Sequence, residues 1–170
     1  MKKILFILLS LFSTSLLADP TVFGLTIGKT TISQLKNTYS VNYSGQNKYS
    51  LGDMYEIPRG QINFDGIGAV TAIFDSSNTL VAVLSEFPKS KFDYLNSAIA
   101  KKYTLMNKKI PFVGDKSATY QSGNTEITLS APHMSFQMSM NYIHTDLLKA
   151  YNKQSKAEEK QKQEQESSML

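Results

Sequence analysis

The 170-residue chain has no cysteine and only two histidines, His133 and His144. Without cysteine no disulfide can staple the fold, and no lipid-carrying cysteine can anchor it. Two histidines fall short of the three or four ligands that a zinc site takes. Motifs of nucleophilic catalysis are missing as well. There is no Gly-x-Ser-x-Gly elbow, and "GKTT" at 28–31 lacks the earlier glycine of a phosphate-cradling loop. "SQLK" at 33–36 and "SSN" at 76–78 imitate two motifs of the penicillin-binding enzymes. No Lys-Thr-Gly strand follows them, and the serine falls in the middle of an expected helix, so the match carries no chemistry. The expectation is a protein without a catalytic constellation and without a cofactor.

Long apolar runs are also scarce. The one candidate lies at the start, "MKKILFILLSLFSTSLLADP". Two lysines precede an apolar stretch at 4–12, and a small residue, Ala18, stands before Asp19-Pro20. That pattern is a secretory signal peptide, and the run is shorter than the about 20 residues that span a bilayer. Cleavage is expected after Ala18, releasing a soluble protein into the periplasm, with no transmembrane segment afterwards. The formal charge of +4 includes Lys2 and Lys3, so a chain cut after Ala18 carries only about +2. That is too little for a nucleic-acid-binding domain, whose own pI usually exceeds about 9.

What is present is one domain's length of alternating and helical patterns. Three helices are expected. The first, "TTISQLKNTY", sits behind Thr30 or Thr31. The second, "SKFDYLNSAIAKKY", is capped by Ser90 with Asp93 in a capping-box position. The third begins near Thr145. Strands are expected in "QINFDG", in a hairpin over 68–87 turning at Asp75-Ser76-Ser77-Asn78, and in "SATYQS", "TEITLSA" and "HMSFQMSMNYIH". Residues 80–84 are apolar on both parities, which places that arm centrally in a sheet. Residues 30–75 and 90–144 repeat the order helix then strands, with Gly52-Asp53 aligned to Gly114-Asp115. The expected fold is therefore α+β: two helix-plus-strands units forming one antiparallel sheet, with helices packed on one face. Residues 19–151 form the domain. The tail, 152–170, is polar and reads as a helical extension or a disordered end.

"FGLTIGKTTISQL" and "VTAIFDSSNTLVAVLSEF", within residues 23–87, resemble segments of small exported bacterial domains. These are the outer-membrane-assembly lipoproteins of the SmpA/OmlA type and the β-lactamase-inhibitor-like fold. The resemblance implies a scaffold for protein binding. The lipobox cysteine of the assembly lipoproteins is missing, so their role does not carry over.

In "HMSFQMSMNYIH", Met134, Phe136, Met138, Met140, Tyr142 and His144 share one parity. Strict alternation is what a half-buried strand requires, with methionine filling the core. The alternative is a soft Cu(I) site made by Met134, Met138, Met140 and His144. For a protein partner in the cell envelope, the candidates are tyrosines and lysines. Tyr43, Tyr49 and Tyr55 follow the first helix, and tyrosine contributes contact area at low entropic cost. Lys101, Lys102, Lys108 and Lys109, with Lys89 and Lys91, form the densest basic patch. The function read from the sequence is an exported, non-catalytic binding module that acts on an envelope protein or inhibits an enzyme. If the leader is processed, mass spectrometry of the exported protein will find Asp19 at the N-terminus. An intact Met1 or Lys2 terminus in the envelope fraction would contradict cleavage after Ala18 and indicate an uncleaved N-terminal anchor.

Overall fold

A computed structural model describes residues 19–169; the expected leader lies outside them. Two short strands, β1 (Thr21–Val22) and β2 (Leu25–Thr26), form a small antiparallel ribbon. Helix α1 (Ile32–Thr38) is started by a reciprocal capping box. The Thr31 backbone N–H donates to Gln34 Oε1 at 2.8 Å, and the Gln34 backbone N–H donates to Thr31 Oγ1 at 3.3 Å. Four strands follow: β3 (Asn42–Gln46), β4 (Leu51–Ile57), β5 (Val70–Asp75) and β6 (Leu80–Pro88). A 3-10 turn (Lys89–Lys91) leads into α2 (Phe92–Ala100). Then come β7 (Thr104–Lys109), β8 (Lys116–Ser122), β9 (Thr125–Ala131), β10 (Gln137–His144) and the long helix α3 (Thr145–Ser167).

β3 to β10 make one antiparallel sheet of eight strands in the order β3-β4-β5-β6-β10-β9-β8-β7. The last strand of each run thus meets the other at the centre, with seven residue pairs from Gln137↔Pro88 to Ile143↔Ala82. One face carries the main core. Phe74, Phe87, Ile127, Leu129 and Met138 lie there beneath Leu35 of α1 and Phe92, Leu95 and Ile99 of α2. The other face has a smaller cluster of Ile73, Val81 and Ala82, covered by Leu147 from the first turn of α3.

At the level of an α+β chain with a large antiparallel sheet, expectation and structure agree. The finer scheme needs correction. α3 lies on the face opposite α1 and α2, because its apolar residues cluster at 147–151 and match the second cluster. The aligned Gly-Asp pairs also differ in role. Gly52 is inside β4, where a Cβ would clash with the Phe74 carbonyl oxygen, whereas Gly114, at φ +122, turns the loop before β8.

"QINFDG" is not a strand but a loop folded back on the core. It follows Gly60 and ends at Gly66, both at positive φ, and it sets Phe64 edge-on against Phe87 at 5.4 Å and Phe23 at 6.3 Å. Ser90 and Asp93 do not cap α2, which has no side-chain cap; Asp93 instead pairs with Lys116 at 3.6 Å. The tail continues as helix through Ser167.

Tyr142 is buried on the core face beside Tyr103, with ring centroids 6.2 Å apart. Burial, and secondarily the Tyr103 hydroxyl, pushes its phenol well above the ordinary 10.0. The neutral form is the one the fold prefers, so this contribution is full below about pH 10. It is lost as the pH rises towards the folded-state value, since the unfolded phenol ionises first. Denaturant midpoints should therefore fall between about pH 9 and about pH 11, and Tyr142→Phe should remove part of that fall. An identical pH profile in the variant would contradict the assignment.

Candidate functional site

The tyrosines and lysines singled out in the sequence do not form one surface. Tyr55 is buried, its ring between Tyr43 at 5.7 Å and Phe74 at 6.0 Å, with Lys36 Nζ 4.7 Å from its centroid. Tyr49 belongs to the seat of α3: its ring packs edge-on against Tyr151 at 5.0 Å, and the adjacent Lys48 pairs with Glu158 at 3.0 Å. Only Tyr43 is well exposed, on edge strand β3. Lys108 and Lys109 occupy β7, the opposite edge, seven strand spacings or about 33 Å away. Lys101 and Lys102 follow the end of α2. Residue type and sequence density pointed to these residues, but the sheet order separates them.

The methionine site is likewise not assembled. β10 begins only at Gln137, so Met134 lies in the preceding loop and is 89% exposed. Met138 and Met140 are buried in the main core, under α2 and the β1–β2 ribbon. His144 ends the strand, six residues and about 20 Å from Met138. Its Nδ1 accepts the Asp146 backbone N–H at 3.3 Å and so caps α3. A common metal ion cannot reach side chains so far apart. Among the described residues, no group of three or more His, Cys, Asp or Glu side chains is placed to hold a metal.

Two grooves flank α3. One, about 260 Å³, runs beneath it between Ile73, Leu84, Ile143, Leu147 and Tyr151. The other, about 350 Å³, opens at its N-terminus beside Ser50, Asp75, His144 and Asp146. The polar groups of the second have structural tasks. Ser50 Oγ donates to the Phe74 carbonyl at 2.7 Å, and Asp75 Oδ1 accepts the Ser77 and Thr79 backbone N–H groups at 2.9 Å each. They do not form a nucleophile with its base.

The sheet face below α3 differs from both grooves. The residues alternating with Met138, Met140 and Tyr142 are Ser139 and Asn141, and across the register they continue as two rows. Ser139 faces Ser130, which faces Ser117; Asn141 faces Thr128, which faces Thr119. Because side chains alternate across a strand, these six share the solvent face, opposite the main core. Among the described residues none of the six makes a side-chain hydrogen bond within the protein. Their donors and acceptors are free for a ligand or for water.

Beside the rows, Arg59, Thr71, Glu86, Ser139 and Asn141 line a shallow depression of about 410 Å³. Arg59 is the only arginine of the chain, is exposed, and has no ion pair among the described residues. The sequence signal for this surface was the other parity of the same three strands, the Ser, Thr and Asn positions between the apolar ones. Compared with models of protein families, with curated proteins and with solved structures, the chain matches none.

Proposed function

We propose that this is an exported, non-catalytic binding module that engages a protein of the cell envelope or inhibits an enzyme. Its recognition surface would be the solvent face of β8, β9 and β10. The observation that carries the reading is the double row of Ser117, Thr119, Thr128, Ser130, Ser139 and Asn141, six polar side chains left without internal partners on a regular sheet. Short hydroxyl and amide side chains lose little freedom on binding, and the strands beneath them already fix their spacing. The rows are uncharged and closely spaced, which suits a partner that supplies main-chain and polar side-chain groups. Arg59 and Glu86 at one border add a charge of each sign to set orientation.

Strand addition at a sheet edge is the less favoured route to a partner. β3 is bulged between Tyr43 and Gly45, and β7 between Leu105 and Asn107, where Lys108 and Lys109 also follow. Bulges and lysines are what blunt an edge against pairing. The order of elements, α1 before β3 to β6 and α2 before β7 to β10, supports the finer reading that the platform consists of two helix-plus-strands units.

A photo-crosslinking residue at Thr128, introduced in cells, is expected to capture one dominant envelope protein, and the same residue at Tyr43 to capture none. Thr119→Arg with Ser130→Arg should abolish capture; Ser130 is exposed and Thr119 half-buried on the same face, so a melting curve of the variant checks that the sheet stays folded. Capture that survives the double substitution would place the partner elsewhere and overturn the assignment of the surface.

A further inference from the structure

The end of the sheet remote from α3 concentrates exposed apolar side chains. Phe112, in the β7–β8 loop, is 104% exposed and Val113 66%; Phe136, in the β9–β10 loop, is 94% exposed and Met134 89%. Every other described phenylalanine is buried or partly buried. The two loops are neighbours, because Lys116 at the start of β8 pairs with Ala131 at the end of β9.

Their backbones are braced. The His133 N–H donates to Asp115 Oδ1 at 2.7 Å, and the Lys89 N–H donates to the Phe136 carbonyl at 2.8 Å. Lys89 Nζ donates to the carbonyls of Pro132 and His133. Pro111 and Pro132 stiffen the loops further. Such tips hold their side chains in water by construction, although that arrangement costs free energy in an isolated monomer.

The surroundings are basic. Residues 106–113 read "MNKKIPFV", with no acidic side chain, and Lys108 and Lys109 have no ion pair among the described residues. Lys89, Lys91, Lys116 and Arg59 add positive charge at the same end, against Asp65, Glu86, Asp93 and Asp115. Lys91 and Lys116 are paired with Asp65 and Asp93, and Asp115 sits in the β7–β8 loop itself; the excess at this end is positive, with Lys108 and Lys109 on the strand that leads to Phe112.

We propose that this end of the sheet is a docking surface for an anionic lipid membrane. Phe112, Val113, Met134 and Phe136 insert among the acyl chains, and Lys108 and Lys109 meet the headgroups. Separately protruding side chains fit a deformable interface better than a partner protein, which would need a matched pocket for each. Interfacial binding scales with apolar area inserted plus attraction between basic residues and anionic headgroups, and both are present here. The face proposed for partner recognition is a different surface, so a docked protein would still offer it.

The test is co-sedimentation of the exported protein with vesicles of phosphatidylglycerol and phosphatidylcholine, and with phosphatidylcholine alone. Binding to the anionic vesicles is expected, weakened by salt, and much weaker on phosphatidylcholine. Phe112→Ser with Phe136→Ser should lower partitioning by about tenfold or more. Lys108→Gln and Lys109→Gln should each lower it by about fivefold, on anionic vesicles only. Circular dichroism melting checks that all three variants stay folded, which the exposure of these residues favours. The proposal is overturned if the wild type does not bind vesicles, or if it binds them equally well with both phenylalanines replaced. It is also overturned if the wild type is a dimer in solution that the phenylalanine substitutions dissociate, since the tips would then serve a second copy of the chain.

Discussion

The antiparallel pairing of β6 with β10 is the constraint on which the rest of the molecule depends. It joins residues 82–88 to 137–143, and among the described residues no other strand pairing links the two runs edge to edge. Closing it requires three intervening strands and a helix to be in place, so its loop entropy is regained only when the second run is complete. The seam lies deep. Val83, Phe87, Met138, Met140 and Tyr142 are buried along one face, and Ser85 Oγ donates to the Met140 carbonyl at 2.7 Å in the interior. A buried hydroxyl without that acceptor would cost about 1–3 kcal/mol, so the bond fixes which residues face each other as well as adding stability.

From the seam the two faces develop differently. α1 and α2, with the β1–β2 ribbon and the loop carrying Phe64, cover one, over fully buried aromatic and branched side chains. The other is covered only at the end where β10 passes into α3, because the helix has apolar side chains in its first two turns and polar ones thereafter. Tyr151 against Tyr49 and Glu158 with Lys48 hold the helix across one end of that face. The Ser, Thr and Asn rows are left open below it. The division between a closed face and an open one suits the proposed recognition surface: rigidity from one side, access from the other.

Much of this was legible in alternation and capping. Residues 80–84, apolar on both parities, do form the central strand; the turn at 75–78 is where Asp75 Oδ1 accepts two backbone N–H groups; Thr31 does start α1. What escaped depends on neighbours distant in sequence. β7 is exposed at every position, so it has no apolar period to detect. "QINFDG" alternates like a strand, yet it packs Phe64 on the core from a loop. Tyr55 and Tyr49 read as surface residues because tyrosine serves both roles, and only the placement of Phe74 and α3 decides between them. The polar rows emerge only when three strands are laid in register, which no single segment specifies.

Hydrogen exchange under native conditions tests the central claim, that the β6–β10 seam makes one cooperative platform of both runs of strands. The account predicts that the slowest amides lie in β6 and β10, and that β5 and β9 are lost in the same opening step. Exchange of β7 to β10 as a separate, faster unit, while β3 to β6 stay protected, would show two independently stable halves and contradict it.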